Sequence, residues 1–476
     1  MPTFPEPTQS LDAAATMATW APYHTSLLSQ VRDEVVRSRR KVVVLDDDPT
    51  GPQAMRDVYV LTEWSVEILR RELQESRPLF FVLTNARALP SAQAIALHRE
   101  IAENLRVASQ HCGVPYTVVV RGDSTLRGHY PDDVEALGEC DATILIPFFE
   151  EGGRYTLDDT QWVKEGALLV PVAQTPYARD QTFGYRHSNL CNWVEEKTHG
   201  RIRADEVLTI PLEWLRGGDV TRVMEVLLRS RRHTIIVNAV SYHELEVFTL
   251  ALLRAEAQGK RFIVRSAASF VRVRAGQGLE IGDWRLEIGG TISNLDSPIS
   301  SGGLVIVGSH VPKSSTQLAQ LLSELRVVSC ELRVQEIAEG RTSTAVDQAM
   351  ALINSTVKAG QHIVLYTSRE VEQRESAAAL LIGQKISEAL VQIVRNLSAT
   401  PRFVVVKGGW TASEIGVKAL GVKRAYAPAP PLPGVPMWML GEETRFPGTP
   451  YVIFPGNVGD EQALLKVVRQ LIDLTA

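Results

Sequence analysis

Short apolar runs alternate with helical periodicity along most of the chain. In the first half, KVVVLD (41–46), PLFFVLT (78–84), YTVVVR (116–121), ATILIP (142–147), HTIIVNA (233–239) and RFIVRS (261–266) are apolar with almost no alternation. That is the pattern of strands buried on both faces of a parallel sheet. Helical stretches lie between them, one from about Thr25 to Arg39 and one from Ser91 to Gln110, with Ser91 placed as its N-cap. The periodicity fades through GQGLEIGDWRLEIGGTISNLDSPISSGG (276–303), which is rich in turn residues. It resumes with GLVIVGS (303–309), QHIVLYT (361–367), RFVVVKGG (402–409) and YVIFPGNVG (451–459). The expected class is α/β, with two α/β domains, mainly parallel sheets and an active site in the cleft between them. The expected boundaries are an N-terminal extension at 1–39, a first domain at 40–275, a connector at 276–302 and a second domain at 303–476.

Composition narrows the function classes. The 476 residues are 45% hydrophobic and 22% charged, enough apolar material for real cores. The net charge of -5 is a poor basis for nucleic-acid binding. No apolar run reaches the length of a membrane span, and the N-terminus has no signal-peptide pattern. The four cysteines, Cys112, Cys140, Cys191 and Cys330, are far apart. They read as reduced core thiols of a cytoplasmic protein rather than a zinc site.

Chemistry concentrates where strands end. KVVVLDDDPTG places Asp46, Asp47 and Asp48 together at a strand tip. Like charges repel and buried carboxylates are costly, so the cluster needs cations or a function. Asp46-x-Asp48-x-Thr50 matches the opening motif of haloacid-dehalogenase phosphatases, in which the first aspartate is a phosphoryl-accepting nucleophile. Gly51 stands where that family has an apolar residue, and its later Gly-Asp-x-x-x-Asp motif is unmet. A second tip, RGDSTLRGHYPDD (121–133), brings Arg121, Asp123, Ser124, Thr125 and Arg127. TNARALP (84–90) adds Arg87. Guanidiniums with hydroxyls suit an anionic polyhydroxy ligand. The competing reading is an internal Arg–Asp pair that holds a loop.

The second half has glycine turns after its strands. GSHVPKSS (308–315) resembles a P-loop but has Pro312 before Lys313. In KGGWTASEIG (407–416), Gly408 and Gly409 precede Thr411, with Glu414 three residues on, read as a capping box. FPGNVGDEQAL (454–464) repeats the design with Gly456, Gly459 and Asp460 as N-cap. Three such turns point to a nucleotide-phosphate site.

Together, DDDPTG, RGDSTLRG, GSHVPKSSTQL, GGWTASEIGVKALGVKRA, LPGVPMW and FPGNVGDEQAL resemble the four-carbon acid sugar kinase family, in order from Lys41 to the C-terminus. The resemblance implies an N-terminal acid-sugar domain and a C-terminal ATP domain. Asp46, Asp47, Arg87, Asp123, Ser124, Thr125 and Arg127 would hold the sugar acid. Ser309, Gly408, Gly409, Trp410, Thr411, Gly456 and Asn457 would hold ATP. Asp46 or Asp47 would take the hydroxyl proton, with Asp123 as rival base, and Mg2+ would offset the charge, with no residue assigned as its ligand. The expected partner is a small sugar acid, with neither nucleic acid nor membrane, and a homodimer is open. The substrate could be an oxo-tetronate, a threonate or erythronate, or a branched apionate derivative. A phosphatase using Asp46 and a non-enzymatic sugar-acid binder are the alternatives.

Overall fold

The apolar runs become parallel strands in each of two units. The computed structural model describes residues 4–20, 25–48, 51–278, 301–309, 311–368 and 376–474. The first unit comprises Met1–Gly51 and Glu63–Glu280, the second Pro52–Thr62 and Ile281–Ala476. Most of the expected connector, 279–300, lies outside the described residues, as do Pro49 and Thr50 of the aspartate tip.

The first unit's sheet runs in the order Leu208–Ile210, His233–Val237, Ala142–Ile146, Phe262–Ser266, Tyr116–Arg121, Lys41–Asp46 and Leu79–Leu83, and every pairing along it is parallel. Parallel pairing puts the carboxyl ends of neighbouring strands at one edge, where α/β sheets bind ligands. Asp46 pairs with both Arg121 and Leu83, and Ser266 pairs with Arg121, so four strand tips share that edge. Valines and isoleucines fill the strands because both faces are covered. The helix of Ser91–Cys112 begins at Ser91, but its N-cap is Pro90 and the Ser91 hydroxyl donates to Asp132 at 2.8 Å. The expected cap is thus replaced by a tie to the first residue of the short Asp132–Glu135 helix.

The N-terminal segment read as an extension is built into this unit. Leu11–Asp12 pairs with Leu168–Pro171 in a second, antiparallel sheet with Thr160–Glu165 and Arg154–Leu157. The Glu6 carboxylate accepts the N–H groups of Ser188 and Asn189 at 2.9 and 3.3 Å, at the start of the Leu190–Lys197 helix.

The second unit's sheet is mixed. Val328–Leu332, Ile363–Thr367, Leu304–Val307, Val404–Lys407 and Pro450–Phe454 are parallel neighbours in that order. Met437–Leu440, Arg424–Ala427 and Val58–Leu61 continue it antiparallel. The last strand comes from within the segment expected to be the first domain. Its alternation of half-buried Tyr59 with buried Val58 and Val60 suits a sheet position that the sequence gives no reason to assign to the distant half. Val305, Val405, Val452, Phe454, Leu464 and Val468 form part of this unit's core.

Leu61 is fully buried opposite Arg424. Leu61→Ala should cost about 2–5 kcal/mol. Hydrogen exchange should then rise first in the Arg424–Ala427 strand while the Lys41–Asp46 strand stays protected. An equal rise in both would show that Leu61 supports the first unit as much as the second.

Candidate functional site

The aspartate tip is held by backbone and by guanidiniums. The carbonyl of Asp46 accepts both the N–H and the hydroxyl of Thr84 at 2.8 Å, locking the ends of two strands together. Asp46 Oδ1 accepts from the Asp48 N–H at 3.0 Å and pairs with Arg121 at 3.2 Å. The side chain is 1% exposed. A Cβ at Gly51 would overlap Asp46 Oδ2, so only glycine lets the chain pass over this carboxylate. That accounts physically for the glycine that departs from the phosphatase motif. Burial, opposed by Arg121 and reinforced by Asp47, pushes the Asp46 carboxyl up to about 7. Asp47 is raised as well, again by burial first, with Arg87, Arg121 and Arg265 opposing. Among the described residues, Asp46 Oδ2 and Asp47 Oδ1 have no hydrogen-bond partner.

The neighbouring tip is tuned the opposite way. Burial alone would raise Asp123, but Arg87 and Arg127 lower it to about 2, helped by Thr125. Its Oδ2 accepts from Thr125 Oγ1 at 2.5 Å and from Arg127 Nε at 2.6 Å, with Arg87 at 3.8 Å. Arg87 also pairs with Asp48. Burial works against the charge of Arg87, and Asp47, Asp48 and Asp123 more than offset it. Arg127 reaches Asp180 at 3.7 Å as well. Asp46, Asp47, Arg87, Asp123, Thr125 and Arg127 are therefore brought into one charged network. The Thr125 hydroxyl is committed to Asp123. Ser124 contributes its carbonyl to Gln161 Nε2 at 2.9 Å.

Sequence reasoning missed Arg265. It is buried at the penultimate position of the Phe262–Ser266 strand, pairs with Asp133 at 3.0 Å and donates to the Arg127 carbonyl at 3.2 Å. A Cβ at Gly122 or Gly128 would lie 3.2 or 3.0 Å from its guanidinium. Both glycines of RGDSTLRG therefore make room for this arginine. The available signal was a charge inside an otherwise apolar strand.

In the second unit the three glycine turns also converge. The strands Leu304–Val307, Val404–Lys407 and Pro450–Phe454 are parallel neighbours, so Ser309, Gly408–Thr411 and Gly456–Asn457 follow one sheet edge. The expected capping box is not formed. Gly408, at φ 122°, is the N-cap of Gly409–Glu414, no side chain caps it, and Glu414 pairs with Lys418 instead. Starting the helix at Gly409 places Thr411 inside its first turn. There Thr411 Oγ1 fills the space a Cβ on Gly308 would need, 2.9 Å away. The last helix begins at Ala463, and the Asp460 carboxylate accepts from Gln462 N–H at 3.1 Å just ahead of it. Ser314 Oγ lies 3.0 Å from Ser309 Oγ and donates to the Gly456 carbonyl at 3.2 Å. Trp410 is 55% exposed beside the glycines.

Mg2+ commonly takes one or two carboxylates from a protein and the rest of its shell from phosphate and water. Among the described residues no three His, Cys, Asp or Glu side chains assemble into a metal cage. Asp48, whose side chain is a quarter exposed, is open enough to meet that limited demand, and Asp46 is not. No helix among the described residues is long and apolar enough to cross a membrane.

The sequence matches the model of a sugar-binding N-terminal domain over residues 42–274 and that of a nucleotide-binding C-terminal domain over 304–464. Comparison with curated proteins gives no match. Among solved structures, a Haemophilus influenzae protein of the DUF1537 family is 17% identical, with 90% of this chain and 100% of that one covered and a TM-score of 0.62. A Salmonella typhimurium LT2 protein described as a candidate tRNA synthase is 16% identical, with 90% and 99% covered and a TM-score of 0.65. At these identities the likeness is one of fold.

A test of the aspartate tip follows from its charge state. The ordinary carboxyl value for Asp46 is 3.8 and its folded value is about 7, so the folded state holds this proton more tightly than the unfolded state. The associated stabilisation is complete below the unfolded value and is lost as pH rises through about 7. Measured against Asp46→Asn from about pH 5 to about pH 8, the wild-type Tm should fall progressively with pH. A difference that stays constant across that window would mean Asp46 is ionised throughout.

Proposed function

Because the chain belongs to the four-carbon acid sugar kinase family, we propose that it is an ATP-dependent kinase that phosphorylates a hydroxyl of a four-carbon or branched apionate-type sugar acid or its oxo derivative. One observation carries this reading within the first unit. Two carboxyls of one network are tuned apart, Asp47 upward by burial and Asp123 down to about 2 by Arg87 and Arg127. Environments that separate two acids in this way assign roles to them. Asp47 is the proton acceptor for the substrate hydroxyl. Asp123 is a fixed charge that aims Arg87 and Arg127. The planar forks of those arginines receive the substrate carboxylate. Asp46, sealed beneath Gly51, shapes the tip through Asp48 N–H and Arg121.

In the second unit the turns at Ser309, Gly408–Thr411 and Gly456–Asn457 take the nucleotide phosphates. Bound Mg2+ would supply charge neutralisation, and within the first unit Asp48 is the carboxylate open enough to hold it. Phosphoryl transfer asks mainly for positioning and neutralisation, which this set of residues supplies. The burial of Asp46 weighs against the phosphatase alternative, since a nucleophile must be reached by its substrate.

A coupled assay of ADP release across four- and five-carbon sugar acids tests the proposal. ADP should form with at least one acid and not in its absence. Release of phosphate from sugar phosphates, with no ADP under any condition, would instead establish the phosphatase.

Asp47→Asn should lower kcat about 10²- to 10⁴-fold, the usual worth of a positioned base, and leave ATP binding intact. Arg127→Ala should lower kcat/KM about 10- to 150-fold through the lost charged hydrogen bond. Wild-type kinetics in Asp47→Asn would move the base assignment to Asp123.

A further inference from the structure

Lys407 ends the Val404–Lys407 strand and is fully buried. Among the described residues it has no carboxylate partner. Its Nζ donates to the carbonyls of Pro455 at 2.8 Å and Gly456 at 3.2 Å, and it lies 4.2 Å from the centre of the Phe454 ring. Lys313, near the start of the Pro312–Glu324 helix, donates to the next carbonyl, Asn457, at 3.2 Å. Ser314 Oγ adds a second donor to the Gly456 carbonyl. Three successive carbonyls of one turn are therefore drawn toward two ammonium groups.

Peptide planarity gives this a direction. In a trans unit the C=O and the following N–H point opposite ways. With the carbonyls of Pro455 and Gly456 turned to Lys407, the N–H groups of Gly456 and Asn457 are turned away from it. No described residue accepts a hydrogen bond from either. Successive free N–H groups on a turn make an anion-binding concavity. Gly456 keeps it shallow, since a Cβ there would lie 3.0 Å from Ser309 Oγ.

We propose that Lys407, assisted by Lys313, is the positioning cation of the nucleotide-phosphate site: it orients the Pro455–Asn457 turn so that its N–H groups meet the phosphates, and it supplies buried positive charge that the polyanion balances. This rests on the nucleotide reading above and adds to it a residue outside the glycine motifs. Burial first, and then Lys313, hold Lys407 down to about 7. Lys313 is the charged group set against it among the described residues. An arriving polyanion favours the charged amine, so binding should take up a proton.

Calorimetric titration with ATP and Mg2+ near pH 8, in buffers of different ionisation enthalpy, tests this. The wild type should take up a fraction of a proton on binding. Lys407→Met should bind ATP about 10- to 100-fold more weakly, without that uptake, while the KM for the sugar acid is unchanged. Lys313→Met, at an exposed position, should weaken ATP binding severalfold and serves if Lys407→Met does not fold. Variants that bind ATP as tightly as the wild type, with the same proton uptake, would overturn the inference and leave the kinase reading standing. A wild type that binds no ATP would overturn both.

Discussion

Three adjacent carboxylates at a strand end must have their charge answered, and much of the first unit's architecture follows from that demand. Asp46 and Asp47 lie where burial makes ionisation costly. Four arginines from three neighbouring strands or the loops after them, Arg87, Arg121, Arg127 and Arg265, gather around the tip and the adjoining loop. Those arginines in turn fix where glycine is required. Gly51 passes over Asp46, and Gly122 and Gly128 leave room for Arg265. Removing one partner of such a network strands a buried charge, which costs far more than the pair contributes while intact.

The second unit solves the inverse problem. Its buried charge is a lysine, answered by backbone carbonyls and an aromatic face rather than by a carboxylate. Carbonyl dipoles compensate an ammonium only partly, and burial, with Lys313 nearby, holds Lys407 below the usual lysine range. On the proposed reading, one unit offers carboxylates and arginines to a small polar acid, and the other offers amide N–H groups and ammonium to a polyanion.

The sequence revealed what depends on local pattern. The buried parallel strands are apolar on both faces, so their runs could be read directly, and the charged network and the glycine turns follow their carboxyl ends. What escaped depends on distant partners. Val58–Leu61 is a short strand whose partner, Arg424–Ala427, lies more than three hundred residues away. The antiparallel sheet of Leu11–Asp12 with Leu168–Pro171 joins an N-terminal stretch of low periodicity to a partner far along the chain. Thr411 and Glu414 have the right spacing for a capping box, yet Gly408 starts the helix three residues earlier and moves both into its interior. Arg265 and Lys407 were visible only as charges within apolar runs, because the groups they bind come from segments that follow other strands.

The Val58–Leu61 strand also bears on how this chain can be divided. The path enters the second unit at Pro52, leaves it after Thr62 and returns at Ile281. A gene fragment starting in the segment between the two family matches would encode a nucleotide-binding half that lacks one strand of its own sheet. Arg424–Ala427 would then be left as an open edge, the kind of surface through which β proteins aggregate. Cutting the gene at the apparent boundary would therefore not yield two self-sufficient halves. A faithful dissection needs a graft that carries residues 52–62 across with the C-terminal half.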